Sequence, residues 1–128
     1  MTYLFDTMAL ITFFNDETGA DFVEKALKEV EQGETEGFIS ALTLTELYYL
    51  YSQEEGEDVA RERVEQVRVN LQVVSIDERI ALKAGEYKKK SVPIADAFIA
   101  ASAHSINASV MTNDEHFKQL DVEVVMFE

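Results

Sequence analysis

The order of apolar and polar positions divides the chain into short strands and longer helices that alternate from end to end. Short apolar runs predict strands at residues 3–5, 38–39, 72–76, 108–111 and 122–125. The amphipathic or apolar segments between these runs predict helices. This alternation favours an α/β fold of three layers, in which helices flank a central parallel sheet of about four to five strands and the crossovers are right-handed.

Local signals set several of the predicted helix boundaries. Thr18 and Asp21 resemble a capping box that opens the second helix. The acidic run 54–58 predicts a solvent-exposed turn that leads into a further helix, where negative charge favours the N-terminus. Asp77 is a favourable N-cap for a helix that extends to about Lys88.

The stretch from Ser91 to Phe117 has the most unusual pattern in the chain. It begins with a predicted helix over 91–104 that is almost wholly apolar or small and carries one carboxylate, Asp96. A short strand and the polar turn Thr112-Asn113-Asp114 follow. Because an unpaired charge is costly to bury, Asp96 requires a partner.

Length and composition narrow the class of protein. A chain of 128 residues supports one hydrophobic core, so we expect a single domain spanning residues 1–128. A hydrophobic content of 47% excludes a disordered chain. No apolar run approaches the ~18 residues of a membrane span, and no signal peptide is evident. The chain has no cysteine, which excludes thiolate metal sites, and we expect a cytoplasmic protein.

The net charge of −14 argues against nucleic-acid binding through phosphate neutralisation, because proteins of that kind are normally basic. An acidic protein can still act on a phosphodiester where bound cations reverse the local charge.

Four carboxylates fall at equivalent places in the predicted sheet. Asp6 directly follows the first strand and Asp114 directly follows the fourth, while Glu46 and Asp96 lie in the first turns of helices. Sites in open parallel sheets form beyond the carboxyl ends of the strands. The four side chains are therefore candidates for one rim.

Each carboxylate also has a purely structural interpretation. Asp6 and Asp114 could cap the helical segments that follow them, Glu46 could form a capping box with Thr43, and Asp96 could complement a helix dipole. Together these interpretations require four coincidences at equivalent strand ends.

A cluster of four carboxylates has an electrostatic consequence. Two unit charges ~4 Å apart repel by about 4 kcal/mol at an effective dielectric constant of ~20. The four groups therefore need a cation or a shared proton. Oxygen ligands favour Mg²⁺ or Mn²⁺ over zinc, and two such ions can activate water and stabilise the leaving oxygen of a phosphodiester.

The carboxylates lie in four segments: Leu4-Phe5-Asp6-Thr7, Thr43-Leu44-Thr45-Glu46-Leu47, Ile94-Ala95-Asp96-Ala97-Phe98-Ile99-Ala100-Ala101 and Thr112-Asn113-Asp114-Glu115-His116-Phe117. In order and spacing these segments resemble the motifs of PIN-domain ribonucleases, and most closely those of the VapC-type toxins of toxin–antitoxin pairs. The resemblance spans the chain, and its most specific part is the segment from Asp96 to Phe117.

The resemblance implies a Mg²⁺- or Mn²⁺-dependent endoribonuclease with an RNA substrate, a cognate antitoxin and a homodimeric state. It implies that Asp6, Glu46, Asp96 and Asp114 are the catalytic metal ligands and that Thr112 supports them. Asn113 departs from the basic residue that many members have at this position.

Other features have weaker signals. The basic run Lys88-Lys89-Lys90 either contacts RNA phosphates or is a solvated helix end. The aromatic helix that contains Tyr48, Tyr49 and Tyr51 covers more than one face, so we expect part of it to form a dimer or antitoxin surface.

We expect a packing or surface role for His104. His116 closely follows Asp114 and could touch the rim, but we do not expect it to act as a general base, because the two-metal scheme needs no histidine base.

Two other functions stay open at this point. The first is a binding or scaffold module of the same fold with a silent site, against which the intact set of four carboxylates argues. The second is a phospho-acceptor or phosphatase domain with Asp6 as its nucleophile. Such a domain needs a second nearby acid and a lysine after a later strand, and neither Thr7-Met8-Ala9 nor Thr112-Asn113-Asp114 supplies them.

Overall fold

Five parallel strands form one sheet in the computed structural model, which describes residues Met1–Glu128. Their spatial order is β3-β2-β1-β4-β5. The strands are β1 (Thr2–Phe5), β2 (Glu36–Ser40), β3 (Gln72–Val74), β4 (Ser109–Thr112) and β5 (Val124–Met126).

Six α-helices and one short 3-10 helix connect the strands. The helices are α1 (Thr7–Phe14), α2 (Ala20–Glu31), α3 (Ala41–Glu55), α4 (Glu57–Asn70), α5 (Glu78–Lys88), α6 (Ile94–Ser105) and the 3-10 helix Glu115–Gln119. None of them combines the length and the apolarity required to cross a membrane.

The sheet divides the hydrophobic core into two halves, as alternation along a strand requires. The neighbouring β1 residues Leu4 and Phe5 are both fully buried, but Leu4 packs with α5 and α6 whereas Phe5 packs with α1 to α4. The result is a helix–sheet–helix arrangement of three layers, which confirms the α/β prediction. The predicted strand count is confirmed at its upper value of five.

The strand order has a switch point at the centre of the sheet. β1 pairs in parallel with β2 on one side, where Leu4 is opposite Phe38, and with β4 on the other, where Leu4 is opposite Val110. The connections that leave β1 and β4 therefore diverge at the carboxyl edge. That divergence opens the crevice in which α/β proteins place their sites.

Some predicted boundaries are wrong, for identifiable reasons. The predicted helix at Ser91 begins only at Ile94, because Ser91 has a positive φ of 63° and Pro93 occupies the N-cap position. The predicted turn over 54–58 is reduced to Gly56, whose φ of 95° interrupts the helix between Glu55 and Glu57.

The capping predictions had mixed outcomes. No capping box forms at Thr18, because α2 begins after Gly19 and no side chain caps it. The Asp77 cap is confirmed, since its Oδ1 accepts a hydrogen bond from the Ile80 N–H at 2.9 Å.

Candidate functional site

Asp6 is the first carboxylate at the carboxyl edge, immediately after β1. It occupies the N-cap position of α1, but its side chain makes no capping hydrogen bond to that helix, so the capping interpretation is wrong. Its Oδ2 instead accepts a hydrogen bond from the Thr112 hydroxyl at 2.7 Å. Asp6 is only 3% exposed, and its carboxylate is thus held against β4.

Thr112, the last residue of β4, connects two of the predicted site residues. Its side chain is fully buried, and its Oγ1 donates to Asp6 and accepts a hydrogen bond from the Asp114 backbone N–H at 3.0 Å. The hydroxyl therefore fixes the Asp6 carboxylate and the start of the turn that carries Asp114.

Glu46 is held by two threonines that the sequence analysis did not identify as site residues. The Thr7 hydroxyl donates to Glu46 Oε1 at 2.6 Å, and the Thr43 hydroxyl lies 2.9 Å from Thr7 Oγ1. Because the single Thr7 proton goes to Glu46, Thr43 is the donor to Thr7. A signal was available: Thr7 directly follows Asp6, and Thr43 is three residues before Glu46 on the same helix face.

The capping-box interpretation of Thr43 and Glu46 is wrong. Helix α3 begins at Ala41, and its cap is Ser40, whose hydroxyl accepts from the Leu42 N–H at 3.2 Å.

Asp96 lies in the first turn of α6 and is 8% exposed. Its Oδ2 is buried and accepts no hydrogen bond. The helix dipole does stabilise a negative charge in this first turn. A favourable dipole does not satisfy a buried carboxylate oxygen, however, and that oxygen still lacks a partner.

Asp114 is both a cap and a member of the rim. Its Oδ1 accepts the His116 backbone N–H at 2.9 Å at the start of the 3-10 helix, so the capping interpretation is confirmed. The His116 Nδ1 atom also lies 2.7 Å from the same Oδ1 and 3.4 Å from Asp96 Oδ2. His116 therefore lies at the rim, where its ring is close to two of the carboxylates, a position that the sequence had left open.

The carboxylates shift one another's pKa values. The pKa of Asp6 is raised to about 6, mainly by burial. The charges of Glu46 and Asp114 raise it further, and the hydrogen bond from Thr112 acts in the opposite direction. Burial raises the pKa of Asp96 to about 8, aided by Asp114, Asp6 and Glu46. Burial alone would raise the pKa of Asp114, but the neighbouring Asp96 carboxyl group and the hydrogen bonds from His116 outweigh burial and lower that pKa. The four groups therefore share one electrostatic field, and Asp96 retains a proton that Asp114 releases.

The donor set fits a hard divalent cation. One ligand atom from each of Asp96, Asp114 and His116 lies within 4.8 Å of the others, and the buried Asp96 oxygen is left for a cation to satisfy. Carboxylate oxygens are the ligands that Mg²⁺ and Mn²⁺ prefer.

The remaining predicted features lie outside this cluster. Lys89 and Lys90 line a surface pocket with Tyr87 and Asp121, and no hydrogen bond or ion pair joins them to the carboxylates. His104 is exposed near the end of α6 beside the Tyr87 ring, as expected.

Comparisons with known proteins agree with this architecture. The family model described as "PIN domain" matches residues 3–123. Among curated proteins, none matches the sequence significantly.

Three solved structures illustrate the similarity in fold. A chain of VapBC2 from Rickettsia felis, bound to a DNA fragment from its promoter, superposes with a TM-score of 0.84 at 19% identity, covering 100% of both chains. DNA-bound VapBC from Salmonella typhimurium gives 0.78 at 21% identity over 98% of both chains. FitAcB from Neisseria gonorrhoeae gives 0.70 at 25% identity over 95% of both chains.

Proposed function

The chain belongs to the PIN domain family, and on that premise we propose that it is a metal-dependent endoribonuclease that hydrolyses RNA phosphodiesters. One observation carries the proposal. Four carboxylates from separate parts of the chain share a rim at the carboxyl edge of the sheet, and one of them, Asp96, has a buried oxygen without a hydrogen bond.

The proposed roles follow from burial and contacts. Asp6, Asp96 and Asp114 would hold the Mg²⁺ or Mn²⁺, and Glu46 would share its ligation or position water. A bound cation of this kind supplies a nucleophilic water and stabilises the leaving oxygen of a phosphodiester. Thr112 orients Asp6, and the Thr43–Thr7 pair orients Glu46, so that the carboxylates do not have to reorganise during the reaction.

The biological setting proposed is that of a VapC-type toxin in a type II toxin–antitoxin pair. Three kinds of support exist: the motifs, the family membership, and the similarity of fold to chains from VapBC and FitAcB structures. A cognate antitoxin protein would hold the nuclease inactive, and the proposed activity on cellular RNA would be cytoplasmic. We expect that a gene for a small DNA-binding protein lies just upstream of the gene for this chain.

The experiment that tests the function is cleavage of labelled RNA with Mn²⁺, Mg²⁺ or excess chelator. We expect cleavage only with a divalent cation and no cleavage by Asp96→Asn, because a neutral amide is a poor ligand for a hard cation. Circular dichroism should show an unchanged fold in the variant. Full activity of Asp96→Asn, or of the wild type in chelator, would refute the mechanism.

The same assay separates the alternatives. A silent binding module would bind RNA or a partner without cleaving RNA under any condition. A phospho-acceptor domain would instead acquire an acid-labile phosphate on Asp6.

Replacement of Lys88, Lys89 and Lys90 by glutamate tests whether the basic run contacts RNA. The RNA affinity should fall if these lysines contact phosphates, and an unchanged affinity would show that they are only solvated.

A further inference from the structure

We propose that His116 is a direct nitrogen ligand of the divalent cation, and that it biases the site towards Mn²⁺ over Mg²⁺. This inference rests on the proposed function, because it concerns the same cation. The carboxylates account for oxygen ligands alone, whereas the structure adds an imidazole at the point where two of them meet.

The distances around His116 match a shared ion. Nδ1 lies 2.7 Å from Asp114 Oδ1 and 3.4 Å from Asp96 Oδ2. Adjacent ligands of an octahedral ion are about 3 Å apart when each ligand lies ~2.1 Å from the metal. The two observed separations fall on either side of that value, so a small adjustment brings all three atoms into one coordination sphere.

A second observation indicates that a cation belongs between these atoms. Asp96 is 8% exposed, and its Oδ2, the oxygen nearest to His116 Nδ1, has no hydrogen-bond partner. A buried carboxylate oxygen without a donor is unfavourable, and a cation would satisfy it. The acidic cluster therefore contains an oxygen that the protein itself leaves unsatisfied beside the imidazole.

The backbone of His116 is anchored at the rim. The His116 N–H donates to Asp114 Oδ1 at 2.9 Å, and the next residue, Phe117, is fully buried in the core. The His116 side chain is 49% exposed, so solvent can reach the ring. A neutral imidazole that carries its proton on Nε2 presents the Nδ1 lone pair to the ion.

An imidazole ligand changes which cation the site prefers. Mg²⁺ favours oxygen ligands throughout, whereas imidazole suits transition metals, of which Mn²⁺ also accepts carboxylates. Removal of the nitrogen should therefore lower the Mn²⁺ affinity by at least about tenfold, the scale seen when groups around a metal site are removed. The Mg²⁺ affinity should change less than the Mn²⁺ affinity does, since the oxygen ligands remain.

The test is electron paramagnetic resonance of Mn²⁺ bound to the intact protein, with no substrate present. The chain has two histidines, so a nitrogen hyperfine coupling from imidazole has only two sources. We expect the coupling in the wild type and in the matched control His104→Ala, whose ring lies on the exposed end of α6. We expect no coupling in His116→Ala.

A further variant separates ligation from positioning. His116→Asn retains a hydrogen-bond donor close to the place of Nδ1 but has no nitrogen lone pair. If His116 only positions Asp114, Asn should restore the Mn²⁺ affinity that Ala loses and the wild type should show no imidazole coupling; those two results together would overturn the inference.

Failure of this inference differs from failure of the proposed function. Mn²⁺ that binds the wild type without nitrogen coupling overturns the role of His116 and leaves the carboxylate site intact. Mn²⁺ that does not bind the wild type overturns both.

Discussion

At the level of single residues, the site depends on hydroxyl groups as much as on carboxylates. Thr112 is the clearest case, because one buried hydroxyl serves both Asp6 and the turn of Asp114. Thr7 serves Glu46 in the same way. The hydroxyls are uncharged, but their hydrogen bonds determine the positions of the carboxylates.

Thr112→Val should therefore impair catalysis without unfolding the protein, since valine has nearly the same shape. The Asp6 carboxylate would lose its donor and the Asp114 N–H its acceptor. We expect kcat/KM for RNA to fall about 10–100-fold, the usual cost of losing a group that orients a metal ligand. Thr45→Val, on the exposed surface of α3, is the control and should keep wild-type kinetics.

The carboxylates also make the stability of the metal-free protein depend on pH. The pKa of Asp96 is raised from 3.8 to about 8, so between these values the folded chain holds a proton that the unfolded chain has released. The stability associated with Asp96 is present at low pH and is lost as the pH rises towards about 8. Asp6, with its pKa raised to about 6, adds a loss at lower pH.

Denaturation in chelator across this range measures the effect. The free energy of unfolding of the wild type, relative to that of Asp96→Asn, should decline from about pH 4 to about pH 8. A difference that does not vary with pH would show that Asp96 is not buried as described.

At the level of elements, α6 is built from small residues so that it can lie close to the sheet. Ala97, Ala100, Ala101 and Ala103 are all at most 1% exposed. The Ser102 hydroxyl lies 3.2 Å from the Ser40 hydroxyl at the cap of α3, which ties the two helices together. This packing holds Asp96 at the rim.

Ala100→Leu should therefore destabilise the fold. The extra methylene groups have no space between α6 and the sheet, and overpacking of this kind costs about 1–3 kcal/mol. Urea denaturation should show the loss. The same change at Ala81, an exposed position on α5, should alter stability by less than about 0.5 kcal/mol, since surface substitutions rarely do more. Equal effects at the two positions would contradict the packing described.

At the level of the whole molecule, the net charge of −14 opposes general attraction to RNA. The recognition of RNA that we propose would therefore depend on local contacts near the four carboxylates. The expected partner surface is smaller than the sequence indicated. Tyr51 and Leu47 are buried, and Tyr51 donates to Asn15 Oδ1 at 2.9 Å.

On α3, the aromatic surface that remains is an exposed patch of Tyr48 and Tyr49, which are 36% and 57% exposed and lie beside Leu44 and Val64. We predict that it contacts a second copy of the chain or the antitoxin. Tyr49→Glu should shift the mass measured by sedimentation to that of a monomer, or weaken antitoxin binding, while RNA cleavage in Mn²⁺ persists. Leu82→Glu, at an exposed apolar position on α5, is the control. If Tyr49→Glu assembles and binds the antitoxin as the control does, the patch of Tyr48 and Tyr49 is not a partner surface.

Much of the fold could be predicted from the sequence alone, because local chemistry fixes it. The alternation of apolar runs determined the α/β class, and Asp77 determined the start of α5. The sequence also determined that Asp6, Glu46, Asp96 and Asp114 follow strands or open helices, which places them at one edge in any parallel sheet.

Only the tertiary structure decided how these residues meet. The strand order puts β4 beside β1, which brings the Thr112 hydroxyl to Asp6 from more than a hundred positions away in the chain. The turn after β4 then directs His116 at Asp96. Neither contact leaves a local pattern, because the residues involved are neighbours only after the sheet has formed. The sequence therefore predicted the charges of the site, and the family resemblance pointed to Thr112, but neither indicated the Thr43–Thr7 pair that holds Glu46 or the contact of His116 with Asp96.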